Sequence, residues 1–169
     1  WEEARKHGIQ VGAYHFYSLR YPGKMQAQNF IDTVPLASDS LPHVVDLEFV
    51  GNSSQRPSRL DFQSDLLEYL DMIENYYGKR PIIYTTYEFY DEYLGRLAFG
   101  NYPIWIRSLF HEPKNSIINW TYWQYKNRGH IDGINHGLDV VAVDLEHVPV
   151  KRLPLVAQVV ERHHHLGRA

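Results

Sequence analysis

The sequence contains no cysteine, so disulfide bonds and thiolate chemistry are excluded within it. It has no apolar run approaching the roughly 20 residues that a membrane-spanning helix needs. Its formal charge of −3 over 169 residues gives no basic surface for nucleic acid, and no such partner is expected. It also lacks a glycine-rich phosphate loop, a Gly-x-Ser-x-Gly elbow and a His-x-x-x-His pair. No catalytic metal and no cofactor are therefore predicted.

Aromatic residues, in contrast, are abundant, with 13 Tyr and 4 Trp. Their side chains combine an apolar face with a polar tip, which suits a protein core and also a groove that binds sugar rings. Hydrophobic residues make up 44% of the chain and charged residues 22%. This balance is typical of one ordinary globular domain.

Two carboxylates lie two residues apart in the apolar segment 44–49, whose sequence is Val-Val-Asp-Leu-Glu-Phe. Alternate side chains of a strand share a face, so Asp46 and Glu48 are predicted to point the same way. Such a pair repels itself and resists burial as charges. Paired carboxylates are also the groups that cleave glycosidic bonds. The structural alternative is that one acid is exposed near the strand end while the other meets an Arg or caps a loop.

Hydrophobic periodicity predicts strands that alternate with helices. The predicted strands cover residues 9–17, 42–49, 82–86, 103–107, 120–125 and 138–143, and the predicted helices cover 24–34, 58–77 and 87–98. Strands separated by helix-length segments indicate right-handed βαβ units and a parallel sheet. The later strands follow each other with little helix between them, so the predicted α/β barrel is irregular.

In a parallel barrel, the C-terminal ends of the strands form the active face. The residues expected to converge there are Asp46, Glu48, Tyr84, Trp105, Trp123, Gln124 and Asp139.

Several short motifs occur in a fixed order along the chain. They are Gly-Ala-Tyr-His-Phe at 12–16, Val-Asp-Leu-Glu at 45–48, Pro-Ile-Ile-Tyr-Thr at 81–85, Ile-Trp-Ile at 104–106, Trp-Gln-Tyr at 123–125, Gly-Ile at 133–134 and Leu-Asp at 138–139. Together they resemble the family-25 glycoside hydrolases, which are muramidases of the Chalaropsis-lysozyme type from bacteria, fungi and phage endolysins. The resemblance covers about residues 1–143.

This resemblance implies an irregular TIM-like β/α barrel that hydrolyses the β-1,4 bond between N-acetylmuramic acid and N-acetylglucosamine in peptidoglycan. Glu48 would be the general acid, and Asp46 would help to keep it protonated by like-charge repulsion. Asp139 resembles a third carboxylate that faces this pair. The residues implied to line the sugar cleft are Tyr14, His15, Tyr84, Trp105, Trp123 and Gln124. For His15, a hydrogen-bonded place in the pocket wall is favoured over a general base.

Peptidoglycan is the implied partner, and the implied location is extracellular or directed to the cell wall, with any signal preceding Trp1. A glycan-binding module that has lost catalysis remains an alternative function. Another carbohydrate-active barrel, such as a chitinase-like enzyme, is a further one.

The sequence departs from the family at its beginning. Family members open with a strand carrying Asp-x-Ser, a helix and a second strand, whereas residues 1–8 correspond to the end of the helix that follows. The absent Asp is one of the family's catalytic carboxylates. We expect the sequence to be a fragment of a longer protein. The alternatives are a gap closed by a partner or a second copy, since unpaired strand edges favour self-association, and an inactive descendant.

The barrel domain is expected over residues 1–150, followed by a tail at 151–169. In this tail Leu155, Val156, Val159 and Val160 predict a short amphipathic helix. The tract His163 to His165 is expected to be solvated rather than to bind a metal.

Overall fold

The computed structural model describes residues 1–114, 117–129 and 138–143. The helices are α1 (Glu2–Lys6), α2 (Gly23–Thr33), α3 (Arg59–Tyr77), α4 (Tyr87–Phe89) and α5 (Gly95–Ala98), and a π-helical turn (Tyr90–Leu94) lies between the last two. The strands are β1 (Tyr14–Phe16), β2 (Val44–Leu47), β3 (Ile82–Thr86), β4 (Ile104–Arg107), β5 (Tyr122–Gly129) and β6 (Leu138–Val143).

The six strands form one sheet whose spatial order is the chain order, β1 to β6. Neighbours from β1 to β5 are parallel, and β6 is antiparallel to β5. The eight residues 130–137 between β5 and β6 are too few for a parallel crossover, which needs about a dozen or more. The predicted mixed α/β fold with a parallel sheet is confirmed. Among the described residues β1 pairs with β2 alone and β6 with β5 alone, so the closed barrel stays a prediction.

Element boundaries follow the prediction where local signals are strong. Helix α3 begins after Ser58, whose hydroxyl accepts a hydrogen bond from the Asp61 N–H at 3.2 Å, and it ends at Gly78 with φ 66°. Strand β1, however, is shorter than the predicted strand over 9–17. Residues 87–98 are helical as predicted, but a π-helical turn separates α4 from α5.

The two faces of the sheet differ in character. On one face, Val45, Leu47, Ile83 and Ile106 are fully buried in the main core with side chains of α2 and α3. The other face carries a smaller cluster, which we call the inner-face cluster, made of Val44, Ile82, Trp105, Tyr14, Tyr84 and Tyr122. Because strand residues alternate between faces, each candidate site residue belongs to one face or the other.

Helices α2 and α3 meet at Gly23. Its N–H donates to both carboxylate oxygens of Asp65 at 2.8 Å, and the Tyr17 hydroxyl donates to Asp65 Oδ2 at 2.6 Å. The carboxylate therefore lies at the N-terminal turn of α2, where the helix dipole favours negative charge. A Cβ atom on Gly23 would lie 2.3 Å from the Asp65 carbonyl oxygen, so the contact requires glycine.

His43 is buried just before β2, with 2% of its surface exposed. Its Nδ1 accepts a hydrogen bond from the Ala13 N–H at 3.1 Å, and its ring centroid lies 4.3 Å from that of Tyr77. Burial, together with the charge of Lys79, lowers the pKa of His43 to about 4. The folded protein thus holds a neutral imidazole at pH values where the unfolded chain is already protonated.

This difference predicts acid sensitivity of the fold. The unfolded chain takes up a proton near the ordinary pKa of 6.5, whereas folded His43 does so only near 4. The stabilisation is therefore complete above pH 6.5 and is lost as the pH falls from 6.5 towards 4. The loss amounts to up to about 3 kcal/mol of unfolding free energy.

Urea unfolding of the wild type and of His43→Asn, at about pH 7 and about pH 4.5, checks this expectation. The Asn Oδ1 atom can still accept the hydrogen bond from Ala13, so the comparison isolates the titration. The variant should lose less stability on acidification than the wild type, and the exposed His7→Asn should behave as the wild type. An equal pH dependence in His43→Asn would contradict the assignment.

Candidate active site

The acid pair lies at the C-terminal edge of β2. Asp46 is in the strand, and Glu48 directly follows its last residue, Leu47. Both acids are half-buried, whereas Val45 and Leu47 between and beside them are fully buried in the main core. The alternation predicted from the sequence therefore places both carboxylates on the face opposite the helices.

A row of aromatic residues continues from Asp46 across the sheet. Asp46 in β2 lies beside Tyr84 in β3 in the strand register. In the same way, Tyr84 lies beside Trp105 in β4, and Trp105 lies beside Tyr122 in β5. The Tyr84 and Trp105 rings pack edge to face with centroids 5.3 Å apart. The Tyr84 hydroxyl donates to Gln124 Oε1 at 2.8 Å. Acids, aromatic rings and an amide thus share one side of the sheet.

Trp105 forms the floor of this face rather than a free-standing platform. It is 8% exposed and packs in the inner-face cluster. Its Nε1–H is buried and has no hydrogen-bond partner among the described residues. A buried donor without a partner is costly, which makes this atom a candidate donor to a bound ligand.

Arg107 belongs to the site and was not identified from the sequence. Its Nη1 atom lies 3.7 Å from Glu48 Oε2, and the two side chains are 32% and 19% exposed, respectively. The sequence contained a signal, because Arg107 follows Trp105 by two residues in β4 and so shares its face. The acid spacing is compatible with an Arg partner for one of the acids, but it does not specify which Arg.

Asn52 was missed as well. Its Nδ2 donates to the carbonyl oxygens of Tyr17 and Glu48 at 2.8 and 3.0 Å. Its Oδ1 accepts from the N–H groups of Leu19 and Ser53, both at 2.9 Å. One side chain therefore ties the segment after β1 to the segment after β2 and holds the backbone of Glu48.

His15 does not lie with the other candidate residues. It is the register partner of Val45, on the helix-packed face, where its ring stacks on Tyr69 at 5.5 Å. Its Nε2 is hydrogen-bonded to Gln26 Oε1 at 2.9 Å, and burial lowers the pKa of His15. The structure thus places His15 apart from the acid pair, and its role in the sugar cleft stays a prediction. Its neighbour Tyr14 is on the inner face, as expected from alternation.

Trp123 also lies on the helix-packed face. Its register partner is Ile106, which is fully buried in the main core. Its Nε1–H donates to the Ser108 carbonyl at 2.8 Å, and its ring contacts Trp120 with centroids 6.2 Å apart. Trp123 thus supports the connection between β4 and β5, whereas the next residue, Gln124, lies on the acid face.

Asp139 lies in β6, two residues before Val141, the register partner of Gln124. The Asp139 side chain lies outside the part of the chain that the structure describes, and so do residues 144–169, which include the predicted tail helix and the proposed boundary at residue 150. The role of Asp139 and the domain boundary therefore stay predictions.

Other features lie apart from the acid pair. A cavity of about 340 Å³ is lined by Tyr90, Gly95, Phe99, Gly100, Tyr102, Ile104 and Asn119, and none of the candidate site residues lines it. In residues 1–114, 117–129 and 138–143, no three His, Asp or Glu side chains are grouped so that they could hold a metal ion. None of the helices described there is both long and apolar enough to cross a membrane.

Comparison with known proteins assigns the chain to a family. Residues 1–134 match the glycosyl hydrolases family 25, and the chain belongs to that family. The resemblance inferred from the ordered motifs is therefore confirmed.

The relatives share both sequence and fold with this chain. The uncharacterized protein YegX of Escherichia coli (strain K12) is 34% identical over 140 residues, which cover 82% of this chain and 50% of YegX. A family 25 glycosyl hydrolase from Bacillus anthracis is 38% identical, with a TM-score of 0.72 over 83% of this chain and 65% of that one. A bacterial lysozyme from Streptomyces coelicolor is 22% identical, with a TM-score of 0.71 over 85% of this chain and 71% of that one, and it shows the fold alone. The chain spans about half the length of the curated relatives it matches.

Proposed function

We propose that this chain carries the acid pair of a peptidoglycan hydrolase that cleaves the β-1,4 bond between N-acetylmuramic acid and N-acetylglucosamine. The observation that carries the proposal is the position of Asp46 and Glu48 beside an aromatic row at one edge of the sheet, in a chain that belongs to glycosyl hydrolases family 25. An extracellular or cell-wall location is part of the same proposal.

In the proposed reaction Glu48 is the general acid. It donates its proton to the glycosidic oxygen, and the bond between that oxygen and the anomeric carbon of N-acetylmuramic acid breaks. Positive charge develops at the anomeric carbon, where the carboxylate of Asp46 stabilises it. A water molecule then adds to the anomeric carbon and returns a proton to Glu48, which restores the starting state. Asp139 is proposed to complete the set of acids.

The aromatic row supplies the proposed contacts to the glycan. Tyr84, Trp105 and Tyr122 offer ring surfaces and polar tips, and Gln124 fixes the Tyr84 hydroxyl. Sugar rings are bound by such combinations of apolar faces and a few oriented polar groups.

Product analysis of digested peptidoglycan tests the proposal. Hydrolysis of the named bond frees the anomeric carbon of N-acetylmuramic acid, so borohydride reduction should convert the new reducing ends to N-acetylmuramitol. New N-acetylglucosamine ends would contradict the bond that we propose. A folded sample that sediments with peptidoglycan without releasing any reducing end would instead support the glycan-binding module.

Two tryptophan variants separate the cleft from the core. Trp105→Phe removes the Nε1–H that lacks a partner among the described residues, so stability should change little while affinity for peptidoglycan falls roughly 3- to 10-fold. Trp123→Phe removes the hydrogen bond to Ser108, so it should lose about 1 kcal/mol of unfolding free energy and keep its affinity.

The measurements are co-sedimentation with peptidoglycan and thermal unfolding of each variant. If Trp123→Phe weakened binding as much as Trp105→Phe does, the division of the two tryptophans between the faces would not explain binding.

A further inference from the structure

Arg107 is a cation that contacts Glu48. We propose that Arg107 is a positioning residue that acts through the Glu48 carboxyl by favouring its ionised form, and so sets the upper pH limit at which Glu48 can donate a proton. The acid role of Glu48 in this inference rests on the proposed function. The contact between the two side chains does not.

The sheet geometry explains how the two side chains meet. β2 and β4 are separated by β3, and neighbouring strands lie about 4.8 Å apart, so the two side chains have to bridge roughly 10 Å between their backbones. The register partner of Arg107 in β3 is Thr86, whose short side chain leaves this space open. Its hydroxyl accepts the hydrogen bond from the Phe89 N–H at 3.4 Å and so caps α4.

The 3.7 Å separation of Arg107 Nη1 and Glu48 Oε2 exceeds the length of an ordinary N–H···O hydrogen bond. The contact is therefore an attraction between charges, and Glu48 Oε2 is not held by Arg107 as a hydrogen-bond acceptor. The guanidinium group of an arginine side chain carries a positive charge. A fixed positive charge at this distance stabilises the ionised carboxyl and opposes its protonation.

Opposing groups surround Glu48. Asp46, on the same strand, repels a second negative charge and so favours protonated Glu48. β3 and β5 contribute the hydroxyl groups of Tyr84 and Tyr122, and burial raises the pKa of Tyr122 above its usual value. Arg56, in the loop after β2, lies over the Phe49 ring at 4.6 Å from its centroid, and β6 carries Asp139. Arg107 therefore acts on Glu48 in the direction opposite to that of Asp46.

Carbon-13 NMR titration of the side-chain carboxyls tests the inference without requiring activity. Glu48→Gln identifies the Glu48 signal. In Arg107→Gln the titration midpoint of Glu48 should rise by about 0.5 to 1 pH unit, because the pair is partly exposed. Arg107→Lys keeps the charge and should retain at least half of the effect. Arg56→Gln removes an equal charge that lies over the Phe49 ring, and it should shift the midpoint less than Arg107→Gln does.

Activity profiles provide the second readout. The alkaline limb of lysis rate against pH should move upward in Arg107→Gln by the same amount as the Glu48 midpoint. An unchanged or lowered Glu48 midpoint in Arg107→Gln overturns the inference, even if the wild type lyses peptidoglycan. A raised midpoint in a protein that releases no reducing ends leaves the Arg107 assignment standing and removes the proposed function.

Discussion

Replacing Glu48 with glutamine is expected to lower the rate of peptidoglycan lysis by about 10²- to 10⁴-fold. Glutamine keeps the shape of the side chain and loses the proton that the glycosidic oxygen must receive. Because Glu48 is half-buried at the end of β2 and outside the main core, the fold should be retained. Turbidity loss of a peptidoglycan suspension measures the rate, and circular dichroism checks the fold.

The exposed Glu88→Gln is the matched control. It makes the same chemical change on α4, and it should lyse at the wild-type rate. Lysis by Glu48→Gln at a similar rate would remove Glu48 from the acid role, whereas loss of lysis in both variants would indicate a general effect of removing charge.

Replacing Gly23 with alanine is expected to cost about 2 kcal/mol or more of unfolding free energy. The new Cβ would lie 2.3 Å from the Asp65 carbonyl oxygen and 2.8 Å from the Tyr17 hydroxyl. The first of these is backbone of α3 and cannot turn aside, so α2 must move and weaken its hydrogen bonds to the Asp65 carboxylate. For a chain of this size the melting temperature should fall by at least about 4 °C.

The adjacent Lys24→Ala is the control, because Lys24 is exposed on the same helical turn. Its melting temperature should stay within about 2 °C of the wild type. Equal melting temperatures for Gly23→Ala and the wild type would show that the two helices are not in the close contact described.

Local signals explain which parts of the fold could be predicted. α3 has a serine cap at one end and a left-handed glycine at the other, and β3 is a short run of β-branched and aromatic residues. Both elements lie where the sequence predicted them. The acid pair was also predictable, because its spacing of two residues is a property of any strand.

Two of the residues predicted for the cleft lie on the helix-packed face of the sheet for the same reason. The prediction placed both Tyr14 and His15, and both Trp123 and Gln124, in one cleft, although adjacent residues of a strand point to opposite faces. The family resemblance placed both members of each pair in the cleft. In the structure, the two members of each pair lie on opposite faces of the sheet, as strand alternation requires.

Arg107 illustrates the remaining limit. Its contact with Glu48 spans two strand spacings and depends on the register of β3 against β4. Neither periodicity nor composition specifies which residues of separate strands lie side by side. The sequence could therefore predict the acid pair and was compatible with an Arg partner, but it could not predict that Arg107 contacts Glu48.

The four hydrogen bonds of Asn52 have a consequence for how this edge of the molecule can vary. Asn52 binds the backbone of the segment after β1, at Tyr17 and Leu19, and the backbone of the segment after β2, at Glu48 and Ser53. The exposed stretch 54–56 that follows is therefore separated from Glu48 by a fixed point. We expect residues inserted or exchanged in that stretch to leave the backbone of Glu48 in place. Asn52 thus divides the loop into a segment whose backbone is fixed next to Glu48 and a following segment whose length and sequence are less constrained.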